Sequence, residues 1–376
     1  MIRSTHKTWS QEVLAVKQHL SGTREAGFFT YEKRAMPLLA VKTAAAAGIS
    51  YWIAKLMGLN VGYWGSISAI IVMQSNVGST VSASRDRLIG TLIGAAFGAA
   101  FSLLGDSIWL YLLAVVIAMV ACGLLNLKNS SRLAAVTVTI VMLVRRTDSN
   151  WTLPLHRVAE VLVGIVVALM ISTLVLPSRA RSRLRDGLAQ EYLKLGALFE
   201  TLMQGYRGKP SAQLPEIWKE VDTAIDSNSQ LLDAARNEPT GGPASLEGLS
   251  LLHQSERAVT DLLRALELAV RGSGNDDYAA HLEPELGQLV SDIHLGFQYL
   301  ASCIHQWKFD AAPKGLELEG DIVALEAKMT AIRPTGLEFP HAEILRAYAV
   351  QLHLKQLARV LRSAQIEANE TVGASS

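Results

Sequence analysis

Apolar residues crowd into six runs between Ala35 and Leu176, and then the pattern changes. A helix needs about 20 apolar residues to cross about 30 Å of hydrocarbon. The first run, Ala35 to Leu56, has Pro37 in its first turn, where a proline is tolerated. The second, uncharged from Leu56 to Ser84, has room for a helix over about Asn60 to Asn76 and a short interfacial segment. Leu88 to Gly105, Ser107 to Leu127 and Val158 to Leu176 give the third, fourth and sixth. The fifth, Leu133 to Val144, is short and needs Arg132 and Arg145 to snorkel at its ends.

After Pro177 the period becomes that of amphipathic helices. Leu188, Tyr192, Leu195, Phe199 and Leu202 recur every three to four residues. Further helices are predicted over about 215–235, 246–270, 286–307, 316–332 and 342–364, with Gly- and Pro-bearing loops between them. The fold class is therefore all-α: a six-span transmembrane helical domain (34–177) followed by a cytoplasmic helical bundle (178–366). Residues 1–33 are read as a cytoplasmic amphipathic segment without the core of a signal peptide, and 367–376 as a disordered tail.

Charge agrees with this division. Of the 376 residues, 13 charged ones fall between Ala35 and Leu176 and 56 elsewhere, with mean hydropathy +0.24 overall. One soluble enzyme domain, a disordered chain and a disulfide scaffold are excluded. The net charge of +1 gives no basic excess for nucleic acid. Cys122 and Cys303 form no metal-ligand spacing, and the histidines are scattered. No phosphate-binding loop, nucleophile elbow or zinc-protease motif is present. We expect neither enzymatic activity nor a cofactor or metal.

Lys33 and Arg34 before the first span, and Arg179, Arg181, Arg183 and Arg185 after the last, place both termini in the cytoplasm. Arg145, Arg146 and Arg157 fall on the outer side in that count. They either make a basic vestibule for anions or show that the fifth run does not cross. Lys42 either snorkels or meets an anion. Arg85 and Arg87, at the cytoplasmic entrance to the third span, either anchor it or gather anions. Glu160 lies three residues after Arg157, as an ion pair or a proton-coupling carboxylate. Gln74 and Asn76 either line a pore or bond between helices. Trp64, Trp109 and Trp151 fit a membrane-interface belt. Gly90, Gly94 and Gly98, four residues apart, suit close helix packing within a subunit or between two.

Three stretches carry a family resemblance: Tyr63-Trp64-Gly65 through Gln74-Ser75, Arg87-Leu-Ile-Gly90-Thr91-Leu-Ile-Gly94, and Arg157 through Gly164 to Leu176-Pro177. Over roughly residues 34–185 the chain resembles the fusaric acid resistance and aromatic acid exporter family, and more distantly the plant aluminium-activated malate transporters. The resemblance implies export of organic anions, chiefly aromatic carboxylates, across a bacterial inner membrane, with coupling to the proton gradient. Larger exporters of this kind carry two membrane units, and this chain has one. A homodimer would supply the second, and a periplasmic adaptor is a further possible partner. The rivals are an anion channel of the malate-transporter type and a membrane-anchored scaffold.

Overall fold

The computed structural model describes residues 27–59, 62–105, 107–143, 152–175, 178–209, 211–239, 244–271, 276–309, 318–332 and 339–373. They form twelve helices and, among the described residues, no strand. Two compact units are distinguished. One comprises Glu25–Ala180 with the short segment Ala234–Pro239; the other is the rest of the chain after Ala180.

The first unit holds α1 (Gly27–Leu56), α2 (Tyr63–Val72), α3 (Val77–Ser102), α4 (Ile108–Leu124), α5 (Lys128–Leu143) and α6 (Thr152–Leu174). By length and composition two helical stretches, Met36–Leu56 and Leu155–Leu174, are able to cross a membrane. The apolar helices α2 and α4 are shorter. Six full spans are therefore not what the helices display individually. Yet their directions alternate. Ser66 of α2 donates to the Ala47 carbonyl, and Gly62 lies against Ala54, so α1 and α2 are antiparallel. Gly65 and Ser68 meet Glu160 and Gly164 in that order, so α2 and α6 run the same way. Apolar side chains of α1 and α4, including Val41, Trp52, Trp109, Leu113 and Val116, are exposed. Such a surface suits lipid and is a liability in water.

Several boundaries differ from the sequence reading: α5 starts at Lys128, five residues before Leu133, and the helix predicted from about 286 starts at Asp277, nine residues earlier. The helix of α1 starts at Gly27 and continues through Pro37, so the proline lies inside it. More important, α2 has ten residues, about 15 Å. Met73 is extended and ends it; Asn76 then caps α3, its Oδ1 accepting from the Ser79 amide at 2.8 Å. The third long helix begins at Val77, eleven residues before Leu88. Hydropathy hid this, because Val77–Arg87 is rich in serine and charge while containing nothing that stops a helix.

The glycines of α3 bring it onto α5. A Cβ at Gly90 would lie 2.7 Å from Leu133 Cβ, at Gly94 2.6 Å from Thr137 Cβ, and at Gly98 2.9 Å from Val141 Cβ. The two helices run parallel, and their backbones approach where side chains are absent. Gly94→Leu is expected to force them apart and to destabilise the unit by about 1–3 kcal/mol. A melting temperature in detergent equal to that of the parent protein would refute this contact.

The second unit holds α7 (Ala180–Tyr206), α8 (Leu214–Arg236), α9 (Leu246–Val270), α10 (Asp277–Gln306), α11 (Leu318–Ile332) and α12 (His341–Gly373). Leu188, Tyr192, Leu195 and Phe199 are all buried, on the apolar stripe that the spacing of α7 predicts. Gly196 admits Phe297 of α10, whose ring lies 6.1 Å from that of Phe199. α12 continues past the expected end near Ala364, and Ala368 in its last turns is fully buried.

Buried polar groups interrupt this core. Glu256 of α9 is fully buried; it accepts from Asn228 Nδ2 at 2.8 Å and lies 2.6 Å from His253 Nδ1. Glu191 of α7, 1% exposed, has one carboxylate oxygen without a hydrogen bond. Burial pushes its pKa up to about 8, opposed by Lys194 and reinforced by Glu256 and Glu220. The folded protein thus holds a proton there that an unfolded chain releases near pH 4.5. Its contribution to stability is complete below that value and is lost as pH rises to about 8. Glu191→Gln should melt about 3–5 °C higher than the parent above pH 8, with the difference vanishing in acid. Parallel melting curves from pH 4.5 to 8.5 would contradict it.

Candidate site: a buried arginine cluster

The turn at Met73–Asn76 sets where the charges of α3 fall. With the helix starting at Val77, Arg87 is ten residues in, about 15 Å along the axis. It is no longer at an entrance, as the hydropathy boundary had it. Its side chain is 3% exposed, and Nη2 donates to Ser68 Oγ of α2 at 3.4 Å. Ser68 in turn faces Gly164, where a Cβ would lie 2.8 Å from Ser68 Cβ. Gly164 is the middle of the 23-residue α6, so Arg87 is held at mid-height in the unit.

Arg157 and Glu160 come from α6, one turn apart and both buried at 6% and 2% exposure. Arg157 Nη1 donates to Glu160 Oε2 at 3.3 Å. The guanidinium also stacks on Trp64 of α2, 3.6 Å from the ring centroid. Arg87 is near enough to Arg157 for their charges to repel. The site thus gathers two cations and one carboxylate from α3 and α6, with Trp64 and Ser68 of α2 against the two arginines. In an apolar unit, an unmatched cation of this kind is stabilised by an anion.

The other sequence candidates fall elsewhere. Arg85 is exposed, two residues and about half a turn from Arg87. Lys42 is buried on α1, which packs on α2 and α6. Gln74 sits exposed in the turn, its Nε2 donating to the Ile71 carbonyl, so it closes the end of α2. Asn76 is the cap of α3. Arg145 and Arg146 lie outside the described residues. Gly90, Gly94 and Gly98 face α5, not the cluster.

Sequence reasoning missed three participants. Trp64 was assigned to the interface belt, whereas its ring covers Arg157. Ser68 and Ser84 were not singled out. Their signal was present: Asn76, Thr80, Ser84, Arg87 and Thr91 recur every three to four residues and are all buried on one face of α3. Thr80 also accepts from Ser172 of α6 at 3.3 Å.

The fusaric acid resistance protein family profile matches residues 38–375. The chain belongs to that family. The match extends well beyond residue 185, where the resemblance noticed in the sequence ended, and takes in the second unit. The chain is similar to the uncharacterized transporter YdhK of Escherichia coli (strain K12), 30% identical over 152 residues, 37% of this chain and 22% of that protein. It is also similar to UPF0421 protein SH1063 of Staphylococcus haemolyticus (strain JCSC1435), 26% identical over 137 residues, 36% of this chain and 41% of that one. The matches thus span less than half the length of these relatives. Family membership makes this a membrane protein of a transporter family.

The ion pair of the cluster can be measured. Glu160→Gln leaves the Arg157 charge buried beside Arg87 and should cost about 3–5 kcal/mol. Adding Arg157→Gln removes the stranded charge, so the double variant should be more stable than the sum of the two single losses. Strict additivity in detergent unfolding would show that the pair is not coupled.

Proposed function

We propose that the protein carries organic anions, chiefly aromatic carboxylates, outward across a bacterial inner membrane. The observation that supports this reading is the buried Arg87–Arg157–Glu160 cluster, with one positive charge in excess. A carboxylate leaving water loses strong hydration, and only cationic or hydrogen-bonding groups in its path can replace it. Family membership supports the transport half of the reading. The carboxylate half rests on the charge of the site and on the family resemblance in the sequence.

Glu160 gives the cluster a second capacity. A carboxylate between arginines can exchange a proton as an anion arrives or leaves, which is the element a proton-coupled exporter needs. The unit is proposed to act as a homodimer of six-span subunits with both termini in the cytoplasm. The exposed apolar faces of α1 and α4 are open to lipid or to a second copy.

The test is efflux from proteoliposomes loaded with radiolabelled benzoate or 4-hydroxybenzoate. We expect protein-dependent release, accelerated by a proton gradient directed against it and abolished by a protonophore, from a species whose mass in nanodiscs is that of two chains. Release that follows voltage alone, with steady current and no response to the protonophore, would make it an anion channel. No release of any carboxylate would overturn the transport reading.

A further inference from the structure

The two arginines of the cluster are chemically unlike. Arg157 is satisfied twice. Glu160 takes its charge at 3.3 Å, and Trp64 covers one face of the guanidinium at 3.6 Å. Both partners sit on helices that pack together, α2 and α6, so the guanidinium is fixed in place.

Arg87 has no such partners. Its one hydrogen bond among the described residues goes to a neutral serine at 3.4 Å, the long end of the range. Its Nε is buried and bonds to nothing among the described residues. No carboxylate among the described residues pairs with it. Asp86, its neighbour in sequence, lies 100° further round the helix. A cation 97% removed from solvent without an anion is a high-energy arrangement. Such arrangements persist where the missing partner is a ligand.

A second orphan lies beside it. Ser84 precedes Arg87 by three residues on the same face of α3, is 4% exposed, and its Oγ also lacks a hydrogen bond. Arg87 Nε and Ser84 Oγ are thus two buried donors without acceptors, one helical turn apart. Thr80 continues the face toward the start of α3, where Ser172 of α6 meets it.

We propose that Arg87 and Ser84 form the contact for the carboxylate group of the substrate, whereas Arg157 is a positioning residue that binds none of it. This assignment rests on the organic-anion reading above. The Nε and Nη edge of a guanidinium presents two parallel N–H groups that match the two oxygens of one carboxylate. Ser84 supplies a third donor. Arg157, clamped by Glu160 and Trp64, keeps Ser68 and α2 aligned with α6 and adds positive field. The ligand class is a monocarboxylate.

The experiment uses the full-length protein in nanodiscs with benzoate as the probe. Binding is read by titration calorimetry and transport by proteoliposome efflux. Arg87→Lys keeps a charge but loses the fork, and is expected to weaken benzoate binding and raise KM at least tenfold. Ser84→Ala removes one hydroxyl and should raise KM roughly three- to tenfold. Arg157→Lys should lower the maximal rate and the melting temperature while leaving KM within about twofold, as befits a group that orients others.

Arg87→Lys with the parent KM would overturn the assignment even if transport is intact, and so would Arg157→Lys raising KM more than Arg87→Lys does. If Arg87→Lys fails to insert, Ser84→Ala decides: an unchanged KM and binding constant overturns the contact. Failure of the parent protein to move any carboxylate is a different result, and it removes the transport reading itself.

Discussion

A guanidinium buried in an apolar helical unit must be compensated, and the way this chain compensates its two organises the first unit. Arg157 is met within its own helix by Glu160 and from α2 by Trp64. Among the described residues Arg87 is met by one serine hydroxyl. For either arrangement α2 must lie close along α6, with Ser68 at the level of Arg87. Glycine makes that possible: at Gly65 and Gly164 a Cβ would come within 3.3 Å of Glu160 O and 2.8 Å of Ser68 Cβ. Small residues set the distance between the backbones, and the distance sets which charges can meet.

α3 divides its surface between two tasks. One face carries Gly90, Gly94 and Gly98 against α5. The adjacent face carries Thr80, Ser84, Arg87 and Thr91 toward α2 and α6. Helices in lipid gain nothing from burying apolar groups against one another, so close van der Waals packing and side-chain hydrogen bonds hold them. The glycine face provides the first, and the hydroxyl face contributes to the second through Thr80 and Ser172. Ser84 and Arg87 are the places where that satisfaction stops, and they adjoin.

The helical class and the family were legible in the sequence, because hydropathy and helical period act over many residues at once. The residues of the cluster were legible only as types: Arg87, Arg157 and Glu160 were candidates because ionisable groups in apolar runs are costly. Their meeting was not legible. It depends on α3 starting at Val77, and a hydropathy reading begins that span after the charges, near Leu88. Asn76 as a cap was the available clue, since an Asn followed by a helix-permitting stretch marks an N-terminus. The contact of Trp64 with Arg157 was hidden for a similar reason. A tryptophan near a span end fits the belt on statistics, and only the register of α2 against α6 turns it onto Arg157. Lys42 shows the reverse: its side chain is buried, but depth in a helix does not determine which group a side chain meets.

Two buried polar groups in this chain illustrate opposite solutions to one problem. Glu191, in the amphipathic unit, escapes the cost of its charge by holding a proton, and its pKa rises accordingly. An arginine has no comparable escape at physiological pH, because its guanidinium releases a proton only far above neutrality. Arg87 must therefore be compensated by something other than its own ionisation. The hydroxyl of Ser68 is too weak a partner to do it, and Glu160 is paired with Arg157. The partner proposed here is an anion that arrives and departs. A permanent carboxylate at that position would stabilise the unit better and would also abolish its capacity to take one from outside. On the proposed reading, the incomplete compensation of Arg87 is the property that a passage for anions requires.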